Sequence, residues 1–85
     1  MTTTVVNKRM APFDVYIGRP SPWGNPFAIG PDGDRNQVCD KFEALHRGDE
    51  AFKRRVREQL RGRRLGCFCK PLRCHGDCLA RVADE

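Results

Sequence analysis

With 85 residues and a net charge of +5, the chain is expected to form one domain, residues 1–85, whose buried fraction of surface is modest. No apolar run approaches membrane-spanning length, and the start Met1-Thr2-Thr3-Thr4-Val5-Val6 lacks the basic and hydrophobic regions of a signal peptide. A membrane partner is thereby set aside and the expected address is the cytoplasm (a host cytoplasm if phage-encoded), where thiols stay reduced; five cysteines, an odd number with four close together, do not resemble a disulfide framework.

Along the chain, the β-branched run Thr3–Asn7 predicts a short strand. After Lys8–Pro12, the segment Phe13–Gly18 alternates, with Phe13, Val15 and Ile17 expected on one face and Asp14 and Tyr16 on the other. So short a connection favours an antiparallel pair. Arg19–Gly33 holds four prolines and three glycines, which exclude regular structure. Trp23, Phe27 and Ile29 give this loop apolar surface with which to hold the body. It can serve as a pocket wall, or Trp23 can simply cap a small core.

Asp34 and Gln37 have capping-box spacing and open a helix in which Val38, Phe42 and Leu45 face the core, with Cys39 on the flank of that stripe. His46 lies near the helix end, where a cation suits the dipole, and is expected at the surface. Gly48 stops this helix and Asp49 can cap the next. There Phe52, Val56 and Leu60 recur every fourth residue beside a basic stripe of Lys53, Arg57 and Arg61, and Gly62 ends the element. Arg63–Cys69 predicts the last strand, with Leu65, Cys67 and Cys69 on one face and Gly66 and Phe68 on the other. Beyond the Lys70–Gly76 turn, Cys78, Leu79 and Val82 mark a terminal helix with Asp77 in its first turn.

The order β-β-α-α-β-α predicts a small α/β domain, a sheet of about three strands with helices packed on it, minimal and Rossmann-like. Parallel second and third strands would make the helical pair a right-handed crossover. Ligands in such sheets collect beyond the carboxyl ends of the strands, and Arg19–Gly33 and Lys70–Gly76 would leave that same edge.

The chemistry gathers at Leu65-Gly66-Cys67-Phe68-Cys69-Lys70-Pro71-Leu72-Arg73-Cys74-His75-Gly76-Asp77. One interpretation is a pocket for an anionic, nucleotide-like or phosphorylated ligand. Arg19 would grip the anion, Trp23 or Phe27 would stack on a ring, Asn25 would hydrogen-bond a base or sugar, and Ser21 is a further ligand-binding candidate. Cys69 or Cys74 would be a nucleophile, with its thiol pKa lowered at a helix N-terminus, His75 an acid–base group and Asp77 its orienter or a helix cap. A second interpretation is a zinc site of Cys67, Cys69, Cys74 and His75, for which the ligand types suit but the Cys-x-Cys spacing is tight. A third treats Cys67, Cys69 and Cys78 as small buried hydrophobes, with His75 as a cap. A separate class is a nucleic-acid or protein-binding module. Lys53–Arg64 carries seven cations against one acid, so Lys53, Arg57, Arg61 and Arg64 could meet phosphates or merely form a solvated face.

The motifs Val15-Tyr16-Ile17-Gly18-Arg19, Trp23-Gly24-Asn25-Pro26-Phe27, Ile29-Gly30-Pro31-Asp32-Gly33 and Leu65-Gly66-Cys67-Phe68-Cys69…Cys74-His75-Gly76-Asp77 resemble DUF4326, a family of unknown function in bacterial and phage genomes. The resemblance runs from about Val5 to Val82 in motif order and spacing. Phe68, where the family often carries tryptophan, and Cys78, where an aliphatic residue is usual, depart from it. It implies a phage or bacterial intracellular protein and nominates residues, without bringing an activity.

Overall fold

A computed structural model of the chain describes residues 2–85. It contains β1 (Thr4–Asn7), β2 (Val15–Tyr16), α1 (Arg35–His46), α2 (Glu50–Leu60), β3 (Arg64–Cys67) and α3 (His75–Asp84). The element order is the expected β-β-α-α-β-α. The sheet order is β1-β3-β2, and both pairings are parallel.

The expected antiparallel pairing of the first two strands is therefore wrong. β3 lies between them, with Leu65 opposite both Val5 and Val15. Leu65, Gly66 and Cys67 are all buried, so this most deeply buried strand takes the centre, where its backbone groups are used on both sides. On one side Thr4 and Lys8 donate to the carbonyls of Arg63 and Cys67; on the other Asp14 and Ile17 donate to those of Arg64 and Gly66. The strand ends at Cys67, two residues earlier than expected. There the Asn7 side-chain amide grips the carbonyl of Lys70 at 2.8 Å, and Leu72 N–H turns back to Cys69 O.

Only Val15 and Tyr16 of the second run are strand, and Phe13 leaves the expected core face. A Cβ built on Gly66 would meet the Phe13 ring at 2.6 Å, so glycine in the central strand lets that ring lie over it. Successive residues face opposite sides of a sheet. Phe13 therefore shares with Tyr16 and Phe68 the side away from Leu65 and Cys67. Phe68 is half-exposed there.

α3 lies on β1 and β3, and α1 and α2 pack against α3. Ile17, Phe42, Val56, Leu60, Leu65 and Leu79 form the dry centre. Trp23 is buried and meets Phe52 edge-on at 6.0 Å, so the long loop is pinned to the helical layer. Leu45 is half-exposed, contrary to expectation. His46 takes its place inward, its ring stacked 3.7 Å from that of Phe52 and 4.8 Å from that of Phe42. It is thus not the surface histidine the sequence suggested.

Helix starts follow the sequence closely. Asp34 accepts from Gln37 N–H at 2.8 Å and the Gln37 side chain accepts from Asp34 N–H at 2.8 Å, while Asp49 accepts from Phe52 N–H at 3.0 Å. Gly62, with φ 75°, follows the end of α2. No helix among the described residues is long and apolar enough to cross a membrane.

Candidate functional site

The carboxyl ends of β2 and β3 open into a cavity of about 540 Å³. Its walls come from three places: the loop after β2 (Arg19, Asn25 and Phe27), the start of α1 (Arg35, Val38, Cys39), and the β3–α3 connection (Cys67, Phe68, Cys69, Arg73, Cys74, His75). The two separated loops meet at one rim, so Arg19 and His75 share one hollow. Three arginines line it and no carboxylate does. Arg73 is tied to Asp40 at 2.9 Å and Glu43 at 3.5 Å, and Arg35 donates to the Arg73 carbonyl at 3.2 Å. Arg19 has no ion-pair partner among the described residues. An uncompensated guanidinium with low-dielectric walls nearby favours an anion.

On the inner wall, Cys74 Sγ lies 3.2 Å from Cys67 Sγ and 3.8 Å from His75 Nδ1, and it accepts from Gly76 N–H at 3.2 Å. Cys74 is thus the N-cap of α3, a place more often taken by Ser, Thr, Asp or Asn. The Cys74 thiol supports a thiolate on Cys67, and the N–H groups of Cys69 and Lys70 add to that support. Together they lower Cys67 to about 6 against the opposing effect of burial. The same contact, together with burial, pushes Cys74 up. The opposite directions describe one proton held between two sulfurs, an arrangement that favours a single negative charge on the pair over two.

His75 Nε2 lies 2.7 Å from the carbonyl oxygen of Ile17. A carbonyl only accepts, which assigns the ring proton to Nε2 and leaves Nδ1 a free acceptor facing Cys74. Burial pushes the His75 pKa down, so the ring is neutral. Cys69 is less buried than Cys39, Cys67 and Cys74, the other thiols of the wall. The sulfurs of Cys67, Cys69 and Cys74 lie within 4.8 Å of one another, a group that could hold a metal ion.

Not every nominated residue reaches this hollow. Ser21 Oγ accepts from Trp23 N–H at 3.2 Å and shapes the loop, and Trp23 is turned into the core. Asp77 accepts from Cys74 N–H at 3.2 Å and pairs with Lys70, so it caps α3 and does not orient His75. Asn25 lines the cavity, but its amide donates to Val38 O at 3.0 Å and accepts from Phe27 N–H at 2.9 Å. Its polar atoms already fasten the loop to α1. Phe27, named with its loop as a pocket wall, lines the cavity, whereas Arg35 and Arg73 were not nominated. Their only signal was position, directly after the cap Asp34 and directly before Cys74.

The basic stripe is partly spent on structure. Arg61 donates to the carbonyls of Ala83 and Glu85, both at 2.6 Å, closing the end of α3. Arg64 forks onto Asp14 with contacts of 3.1 and 3.2 Å, and Lys53 stands 3.8 Å from Glu50. Of the four nominated cations, Arg57 alone has no such partner among the described residues.

The domain of unknown function DUF4326 matches residues 3–85. An uncharacterized 12.4 kDa protein from the nrdA-td intergenic region of Enterobacteria phage T4 is 40% identical over 91 aligned positions, which span 95% of this chain and 77% of that relative. No solved structure matches the chain. Motif order, a match across nearly the whole length and this phage relative agree: the chain belongs to the DUF4326 family.

Proposed function

We propose that the cavity binds an anionic, nucleotide-like ligand, with the phosphate at Arg19 and the ring near Tyr16, Phe27 and Phe68. The observation that carries this is the lining itself: three arginines, three aromatic rings and no carboxylate around about 540 Å³. That volume suits a ligand of nucleotide size. Free thiols on the wall accord with a reducing, cytoplasmic setting.

The wall also supports thiol chemistry. The thiolate of the Cys67–Cys74 pair would add to an electrophilic sp² carbon of the ligand's ring, and the π electron pair displaced onto the neighbouring ring atom would take up the remaining thiol proton through His75 Nδ1, 3.8 Å from Cys74 Sγ. Titration calorimetry with nucleoside 5′-monophosphates against the parent nucleosides tests the binding. The phosphorylated forms are expected to bind at least about ten-fold more tightly, and Arg19→Ala to remove that advantage. Equal affinity for both forms, or an Arg19→Ala variant that binds like the wild type, would overturn the proposal.

A second reading is favoured by the three clustered sulfurs. A zinc ion held by Cys67, Cys69 and Cys74 would staple the β3–α3 turn, and His75 Nδ1, beside Cys74 Sγ, would be the fourth donor. The Nε2 proton given to the Ile17 carbonyl is how metal-binding imidazoles are commonly oriented. Such a stapled domain could present its basic helix to nucleic acid or a protein. Metal analysis of protein purified without chelator decides it: about one zinc per chain supports the staple, and metal-free folded protein removes it.

A further inference from the structure

We infer that the sheet face turned away from the helices is a docking surface for single-stranded nucleic acid, running into the mouth of the cavity. On this face Lys8 Nζ lies 4.8 Å from the ring centres of both Tyr16 and Phe68 and 6.0 Å from that of Phe13. Arg9 lies 5.0 Å from Phe68. Tyr16 and Phe68 meet edge-on at 6.2 Å. Phe68 remains 48% exposed and Phe13 36% exposed, and neither belongs to the core cluster.

Neither Lys8 nor Arg9 has a carboxylate partner among the described residues. An ammonium over a ring gains a cation–π contact without being neutralised, so the patch keeps its charge. Exposed rings interleaved with unpaired cations are the two parts of a strand-binding surface: rings for sequence-tolerant stacking and cations for the backbone. An anionic protein segment would satisfy the cations and leave the rings with nothing to stack on. Continuity with the cavity adds the second argument. Tyr16 and Phe68 line its mouth as well as the face, so a strand crossing the face can seat one nucleotide inside, its phosphate at Arg19. That last detail rests on the ligand proposed above; the docking face does not.

Fluorescence anisotropy with a labelled twelve-nucleotide oligothymidylate tests the inference, beside calorimetry with thymidine 5′-monophosphate. The oligomer is expected to bind more tightly than the mononucleotide and to lose affinity steeply between about 50 and about 200 mM salt. Phe68→Ala is expected to weaken oligomer binding about ten-fold or more, and Arg9→Glu to weaken it and flatten the salt dependence. Both positions are exposed, and unchanged circular dichroism would establish that the variants fold. Mononucleotide bound but the oligomer no tighter would overturn the face and leave the cavity. Oligomer binding that needs Phe68 while the mononucleotide fails to bind would overturn the cavity and leave the face. Oligomer binding indifferent to Phe68 and Arg9 but lost in Arg57→Glu, or displaced equally by polyglutamate, would overturn the inference.

Discussion

Cys67 and Cys74 hold their sulfurs 3.2 Å apart in a buried wall, where two negative charges would repel strongly and one is shared to advantage. The thiolate absorbance of the intact protein should therefore rise by one equivalent with an apparent pKa near 6, ahead of the other cysteines. Cys74→Ala removes the strongest support and leaves the N–H groups of Cys69 and Lys70 alone to oppose burial, so this early step should move up toward the ordinary thiol value of 9.0. Cys74→Ser keeps a hydroxyl donor and the α3 cap and should fall between the two. A wild-type protein with no thiolate below about pH 8 would contradict the arrangement. The same residues mark what was legible at this scale. The cluster's location was plain from side-chain types alone. The partnership was not, because Cys67 and Cys74 meet only when β3 ends early and the turn folds back. Likewise nothing local in the sequence distinguishes a free Asn25 from one whose amide is already committed to backbone.

At the scale of elements, α3 can lie close to the sheet because its second residue is glycine. A Cβ on Gly76 would stand 2.5 Å from Ile17 Cδ1 and 3.0 Å from Val5 Cγ1, both packed in or against the core. Gly76→Val should cost about 2–3 kcal/mol through overpacking, a fall of about 10 °C or more in melting temperature for a domain of this size. Gly48 has nothing within 4 Å of the same added atom and ordinary backbone angles, so Gly48→Ala should leave the melting temperature nearly unchanged. Comparable losses in both variants would mean that close packing at the α3 start is not what glycine provides.

The helices were readable because their determinants are local: Asp34 with Gln37, Asp49, and the stripe of Phe52, Val56 and Leu60. Sheet order was not, since a short link between two strands is compatible with a third strand inserting between them. The choice is made by burial of Leu65–Cys67, which draws contacts from far along the chain. Phe13 and His46 exchanged expected places for the same reason. Gly66 opens room for one on the outer sheet face, and Phe52 supplies a ring for the other to stack on.

Across the whole molecule, the two ends of the chain are fastened together. Thr3 Oγ1 donates to Asp84 at 2.7 Å and accepts from Gly62 N–H at 2.8 Å, while Arg61 closes the end of α3. Folding thus links both ends of the sequence to the α2–β3 turn, and it also decides how stability responds to acid. Burial lowers the pKa of His46 and of His75 from the ordinary 6.5. Above 6.5 both rings are neutral in the folded and unfolded chain and their burial carries no protonation penalty. As pH falls below that value the unfolded chain takes up protons that the folded one resists, so stability drops until the lowered folded pKa values are passed. The Cys67 thiolate acts in the same direction between its folded value of about 6 and the unfolded 9.0, where the native chain holds the fewer protons. The carboxylates of Asp14 and Asp84, also lowered, titrate below 3.8 and lie outside this window. The urea midpoint should consequently be lower at about pH 5.5 than at about pH 7.5, with the slope concentrated where the buried imidazoles and the thiol pair titrate. His46→Phe preserves the stack on Phe52 and removes one protonation penalty, so it should flatten the acid side of the profile. A midpoint that rises on acidification would show instead that the folded chain stabilises the charged imidazoles, against the burial that dominates at both rings and with His46 Nδ1 lacking a hydrogen-bond partner.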